Sequence, residues 1–142
     1  MLRARALDRS SGRSWRYLFL LPVLVLLMAG RQVPLVDPDP IAVPAGVTAE
    51  QVNKAIKAAL VGRGWQVSGE QPGKILSTLH LREHMAKIEL AYDQKAVTIR
   101  YLDSGELLYA EKKGQRVIHR NYLNWVQNVV NDIGRNLLLV KT

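Results

Sequence analysis

Residues 75–102 read ILSTLHLREHMAKIELAYDQKAVTIRYL, and the period at which apolar side chains return in this stretch decides the fold. They return every second residue: Ile75, Ser77, Leu79 and Leu81 on one side, then Ala86, Ile88, Leu90 and Tyr92, then Val97, Ile99 and Tyr101. Alternation of this kind predicts half-buried β-strands. A turn at Glu83-His84 pairs Leu81 with Ala86 and Leu79 with Ile88, and a turn around Gln94-Lys95 pairs Leu90 with Ile99 and Ile88 with Tyr101. Both registers set apolar against apolar. On the opposite face they set Thr78 beside Glu89 and Glu89 beside Arg100, an exposed cross-strand ion pair. A slip of one residue would turn every inward side chain to solvent, so the two hairpins constrain each other.

Upstream, Trp65 and Val67 alternate with Gln66 and Ser68, and Pro72-Gly73 supplies the turn into the next strand. Before that the period is helical: Val52, Ala55, Ile56, Ala59 and Leu60 make one stripe. Thr48 and Gln51 form a capping box, Val47 and Val52 a staple, and Gly62 and Gly64 end the helix. Downstream, a long helix is predicted from about Val117 to Leu139. Ile118, Tyr122, Trp125, Val129, Ile133 and Leu137 form its stripe, and Leu123, Val126, Val130 and Leu138 widen it beyond about 100°. Such width fits either a helix held between sheet and first helix or a surface for a partner. The expected class is α+β: an N-terminal helix, a four-stranded antiparallel meander and a C-terminal helix, with both helices on one sheet face.

The first residues differ from the rest. Fourteen uncharged residues, Tyr17 to Gly30 (YLFLLPVLVLLMAG), follow a flank holding Arg3, Arg5, Arg9, Arg13 and Arg16. As a helix this run covers about 21 Å of a hydrocarbon layer roughly 30 Å thick, short for a span but right for an export signal. Candidate cleavage positions pair Ala29 with Leu27 or Gly30 with Met28, so the residue three before the cut is bulky in both. Residues 1–31 are therefore expected to be a signal peptide or an uncleaved membrane anchor, with the following chain outside the inner membrane by the positive-inside rule. Residues 32–44, QVPLVDPDPIAVP, carry four prolines and read as a linker, in which Ile41 to Val43 can dock as an edge strand. Residues 45–142 remain for a single domain facing the periplasm.

The chain of 142 residues carries a formal charge of +8. Residues 1–31 hold +5 of it and residues 32–142 only +3, which argues against a basic nucleic-acid-binding face. There is no cysteine, hence no disulfide, no thiolate metal site and no cysteine nucleophile.

No glycine-rich phosphate loop, His-Glu-x-x-His helix or Gly-x-Ser-x-Gly elbow is present. His80 and His84 are four apart on a strand and its turn, a spacing that does not make them converge on a metal. Lys112, Lys113 and Arg116 form a small basic cluster, a solvated turn or a contact for an anionic surface. The candidate ligand or partner residues are Asp103, Ser104, His119, Asn121, Tyr122 and Trp125. Asp103, Ser104 and His119 are the residue types of a hydrolytic triad, and His119 falls in the first turn of the last helix, where the dipole lowers imidazole basicity. Asn121 and Tyr122 serve equally well to tie residues 107–116 to that helix by hydrogen bonds.

Several motifs together resemble a group of small proteobacterial envelope proteins, usually predicted lipoproteins. These are the helix ending in Arg63-Gly64-Trp65, the Pro72-Gly73 turn, Ile99-x-Tyr101-x-x-Ser104 with Leu107, and Ile118-His119-x-Asn121-Tyr122-x-x-Trp125, spread over roughly residues 43 to 138. Leu27-Met28-Ala29-Gly30 is similar to the lipobox of such proteins, but Arg31 stands where the lipidated cysteine would be. The resemblance implies a periplasm-facing domain without an assigned activity. The expectation is a non-catalytic envelope protein without cofactor or metal, touching the membrane through residues 17–30 and serving as a protein-binding or self-associating module. The alternative is a small-ligand or hydrolytic site around Asp103, Ser104 and His119.

Overall fold

The computed structural model describes residues 31–140, so the expected signal or anchor segment at 17–30 lies outside the described residues. From Gln32 onward the chain is one compact α+β unit with two helices and two antiparallel sheets. In chain order the elements are β1 (Gln32–Pro34), β2 (Ile41–Ala42), α1 (Ala49–Gly62), β3 (Gln66–Gln71), β4 (Lys74–Leu81), β5 (His84–Tyr92) and β6 (Ala96–Gly105). They continue with β7 (Ala110–Lys112), β8 (Gln115–His119) and α2 (Arg120–Leu139). No described helix is long and apolar enough to cross a membrane.

The expected meander is present as β3 to β6, but it is not a sheet of four. β2 adds to the free edge of β6, with Ile41 opposite Val97, and the order is β2-β6-β5-β4-β3. The second hairpin has the expected register, Leu90 opposite Ile99 and Ile88 opposite Tyr101, and Glu89 faces Arg100 with 3.1 Å between Oε2 and Nη2. The first hairpin is tighter than expected. Leu81 pairs with His84 and Leu79 with Ala86, around a two-residue loop in which Arg82 takes φ 56°. A left-handed residue in a two-residue loop matches the twist of the flanking strands. The shift from the expected register is two residues, so each side chain keeps its face. Ile75, Leu79, Ala86, Ile88, Leu90, Val97, Ile99 and Tyr101 are all buried.

Two edge positions depart from the expectation. Leu81 is 44 % exposed beyond the core, and Val67 is 37 % exposed on outer strand β3, where a bulge between Val67 and Gly69 displaces the alternation. Ser77, wholly buried on the apolar face, donates from Oγ to the Gln66 carbonyl at 2.8 Å and so leaves no orphaned polar group.

Helix α1 begins and ends as the sequence dictates. Thr48 Oγ1 accepts from the Gln51 amide and Gln51 Oε1 accepts from the Thr48 amide, while Val47 and Val52 are both buried beside the cap. At the other end Gly64 takes φ 82°, Trp65 N donates to the Leu60 carbonyl and Gly64 N to the Val61 carbonyl, the paired bonds of a Schellman ending. That ending turns the chain sharply and buries Trp65 under the helix it has just left.

The last helix starts three residues later than expected, at Arg120. Val117 to His119 belong to β8 instead, because Lys113 (φ 52°) and Gly114 (φ 75°) form a two-residue turn that folds β7 onto β8. β1 pairs on the other side of β8, giving a second sheet, β1-β8-β7. Residues 32–44, expected as a linker, are thus part of the fold. They supply β1 and β2, and Leu35 between them is 7 % exposed in the core. Asp37 fastens the stretch by accepting from the Tyr101 amide at 3.0 Å, which satisfies a donor on the open edge of β6.

The inner face of the five-stranded sheet, α1 and α2 share one core. The helices are also joined by polar groups: Arg63 donates to both carboxylate oxygens of Asp132 at 2.7 and 3.2 Å, and Asn136 Nδ2 to the Ala55 carbonyl at 3.1 Å, while within α2 Arg135 donates to Asp132 Oδ1 at 2.6 Å. Chiefly through the hydrogen bond from Arg63, this setting holds the Asp132 carboxyl below the usual carboxylate range.

Candidate functional site

The six residues singled out from sequence fall into three settings. Asp103 and Ser104 follow a bulge in β6 that restores Ser104 to the position opposite Ala86. Asp103 Oδ1 accepts from the Ser104 amide at 2.8 Å, a local turn contact, and Ser104 Oγ shares a 2.7 Å hydrogen bond with the Tyr101 hydroxyl. Tyr101 stacks on Tyr109 at 5.0 Å and meets Tyr122 edge-on at 5.5 Å, with the Arg116 guanidinium 6.0 Å from its ring centre. Burial pushes the hydroxyls of both Tyr101 and Tyr122 above the ordinary tyrosine range, so both remain neutral donors and acceptors.

His119 is the N-cap of α2. Its Nδ1 accepts from the Asn121 amide at 3.0 Å, and its own amide donates to the Leu107 carbonyl at 2.8 Å. A neutral imidazole that accepts at Nδ1 carries its proton at Nε2, so its only ring lone pair serves the helix end and is withheld from general-base work. Asp103 and Ser104 are hydrogen-bonded within β6 and His119 within its own first turn; these bonds do not build a nucleophile-base-carboxylate relay. Asn121 contributes its backbone to this cap and its side chain is exposed. Tyr122, 2 % exposed, ties the start of α2 to the Tyr101 cluster through its ring.

Trp125 belongs elsewhere. It sits 6.1 Å from the His84 ring and lines a cleft of about 170 Å³ with Arg63, Trp65, Leu79, His80 and Leu81. His84 Nδ1 donates to the Glu106 carbonyl at 2.6 Å. Among the described residues, no three His, Asp or Glu side chains gather as metal ligands.

A second concavity among the described residues was missed in the sequence. It is an open groove of about 680 Å³ between the strap Val36–Ile41 and the outer face of α2, where Gln127, Val130, Asn131, Gly134 and Arg135 form its floor and far wall. Asp37, Pro38, Asp39 and Pro40 form the near wall. A smaller recess of about 150 Å³ continues along the same side, between Val36 and Pro38 on the strap and Tyr122, Leu123 and Val126 on α2. The strap therefore covers part of the excess width of the α2 stripe: Val126 is buried and Leu123 and Val130 are partly buried, whereas Leu138 is 67 % exposed. The signal available in the sequence was the width of that stripe beside a proline-rich segment whose Leu35 could anchor it.

The chain matches none of the protein families, curated proteins or solved structures with which it was compared.

Proposed function

We propose that this chain is a non-catalytic cell-envelope protein whose domain, exported behind the apolar segment at 17–30, binds a protein through the groove on the outer face of α2. The observation that carries the reading is the groove itself. Its floor is an exposed helix face, its near wall is an extended strap, and its volume of about 680 Å³ is open along its length, a shape suited to a polypeptide rather than an enclosed small molecule. Export is supported by the arginine flank ahead of the apolar run and by the +5 carried on residues 1–31. Membrane contact through residues 17–30, transient or permanent, belongs to the same proposal.

A photo-crosslinking side chain placed at Asn131 in the groove, and separately at Thr98 on the outer sheet face, tests it in intact cells. The proposal expects a discrete protein adduct from position 131, lost on Gly134→Leu, and none from position 98. Equal labelling at both positions, or none at either, overturns it.

The Trp65 and Trp125 cleft favours a second reading, a site for a small apolar ligand, because its lining is largely apolar and it holds about 170 Å³. Titration with a small aromatic probe, followed by tryptophan fluorescence in wild type and Leu81→Glu, tests that reading: saturable quenching absent from the variant supports it.

A further inference from the structure

We infer that the protein bound in the α2 groove is a second copy of this chain, seated parallel and in register; this rests on the reading of the groove as a protein-binding surface. Gln127, Asn131, Gly134 and Leu138 follow one another at spacings of four, three and four, the positional repeat of a two-helix seam, with Leu138 its one apolar member. The first three line the groove, and Leu138 continues the row one turn on. Among the described residues nothing covers Leu138, which is 67 % exposed.

Gly134 lies inside a helix, where glycine weakens the fold, and no packing among the described residues requires it: a Cβ built there meets nothing within 4 Å. An approaching helix does require it, because absence of a side chain lets two backbones close on each other. Asn131 takes the seam position at which a polar residue selects a parallel pair and fixes its register, at a cost in affinity.

Charge fixes the orientation. Asp39 on the near wall is exposed and makes no hydrogen bond or ion pair among the described residues. Arg135 on the far wall donates one N–H to Asp132 and is 64 % exposed in its side chain. A two-fold axis running along the groove exchanges the walls and sets Asp39 of each copy against Arg135 of the other. An antiparallel pair sets like against like.

The chain has no cysteine, so a single introduced one reports directly. In the full chain in detergent micelles, Gly134→Cys is expected to give a disulfide-linked dimer under mild oxidation. Lys54→Cys, an exposed position on α1, is expected to stay monomeric. Adding Asp39→Lys should lower the Gly134→Cys dimer yield several-fold, and Gly134→Leu should abolish association without lowering Tm. Equal yields at 134 and 54, or no dimer from 134, overturn the inference. If position 134 gives no self-dimer while the photo-crosslinker at 131 captures a different protein, the second copy is refuted and the protein-binding reading stands; if neither captures anything, both fall.

Discussion

Replacing Leu35 by alanine removes three carbons from a side chain that is 7 % exposed in the middle of a proline-rich stretch. At about 0.8 kcal/mol per buried carbon the transfer loss alone is about 2 kcal/mol, and the cavity left between strap, β8 and α2 brings the total to about 3 kcal/mol. For a domain of this size that lowers Tm by roughly 10 °C or more. The neighbouring substitution Val36→Ala is the control: Val36 is 68 % exposed, and its truncation is expected to change stability by no more than about 0.5 kcal/mol. Thermal unfolding of the full chain, followed by tryptophan fluorescence, reads both. A tether would make the two variants alike. Were Leu35→Ala to shift Tm no more than Val36→Ala does, the strap would not be part of the core and the near wall of the groove would go with it.

Gly134→Ala should raise the stability of the isolated chain by about 1 kcal/mol through helix propensity, since the added methyl meets nothing; a fall in Tm measured at dilution contradicts that packing. His119→Ala should cost about 1 kcal/mol while His119→Asn costs little, because either His or Asn accepts from the helix amide at the N-cap; urea unfolding distinguishes them, and equal losses would point to a different role. The Asp132 carboxyl is held low in the folded state by Arg63, so its stabilising contribution is present above the unfolded value near 4 and is lost as pH falls through the folded value. Tm of the wild type should therefore exceed that of Asp132→Asn at neutral pH, and the gap should close as the pH falls below about 4; a gap independent of pH would contradict the ion pair.

The strands of the meander were legible because alternation specifies faces, and the Glu89–Arg100 pair because it depends on the second hairpin alone, whose register is the expected one. The first hairpin was misplaced by two residues because faces are blind to an even slip; only the local conformation of Arg82 sets the turn. The second sheet was not legible: β1, β7 and β8 run three to five residues, too few for a period to emerge, and β8 merges with the apolar pattern of the helix that follows. Prolines in residues 32–44 spoke for an extended chain, which is correct, but extension does not distinguish a free tether from a strap latched by Asp37 and Leu35. Of the candidate residues, Ser104 and Tyr122 meet at Tyr101, whose role as a hub depended on a bulge at Leu102 that no spacing announces. His119 was expected inside the first turn of the helix; it is instead the last residue of β8 and the N-cap, and that position explains why its ring nitrogen is engaged.

The outer face of α2 as a contact surface is tested most directly by single cysteines introduced one at a time from 121 to 138 at exposed positions and oxidised in intact cells. Disulfide yield is predicted to peak at 127, 131, 134 and 138 and to fall away at 121 and 135. A flat profile, or peaks on the opposite side of the helix, contradicts the account.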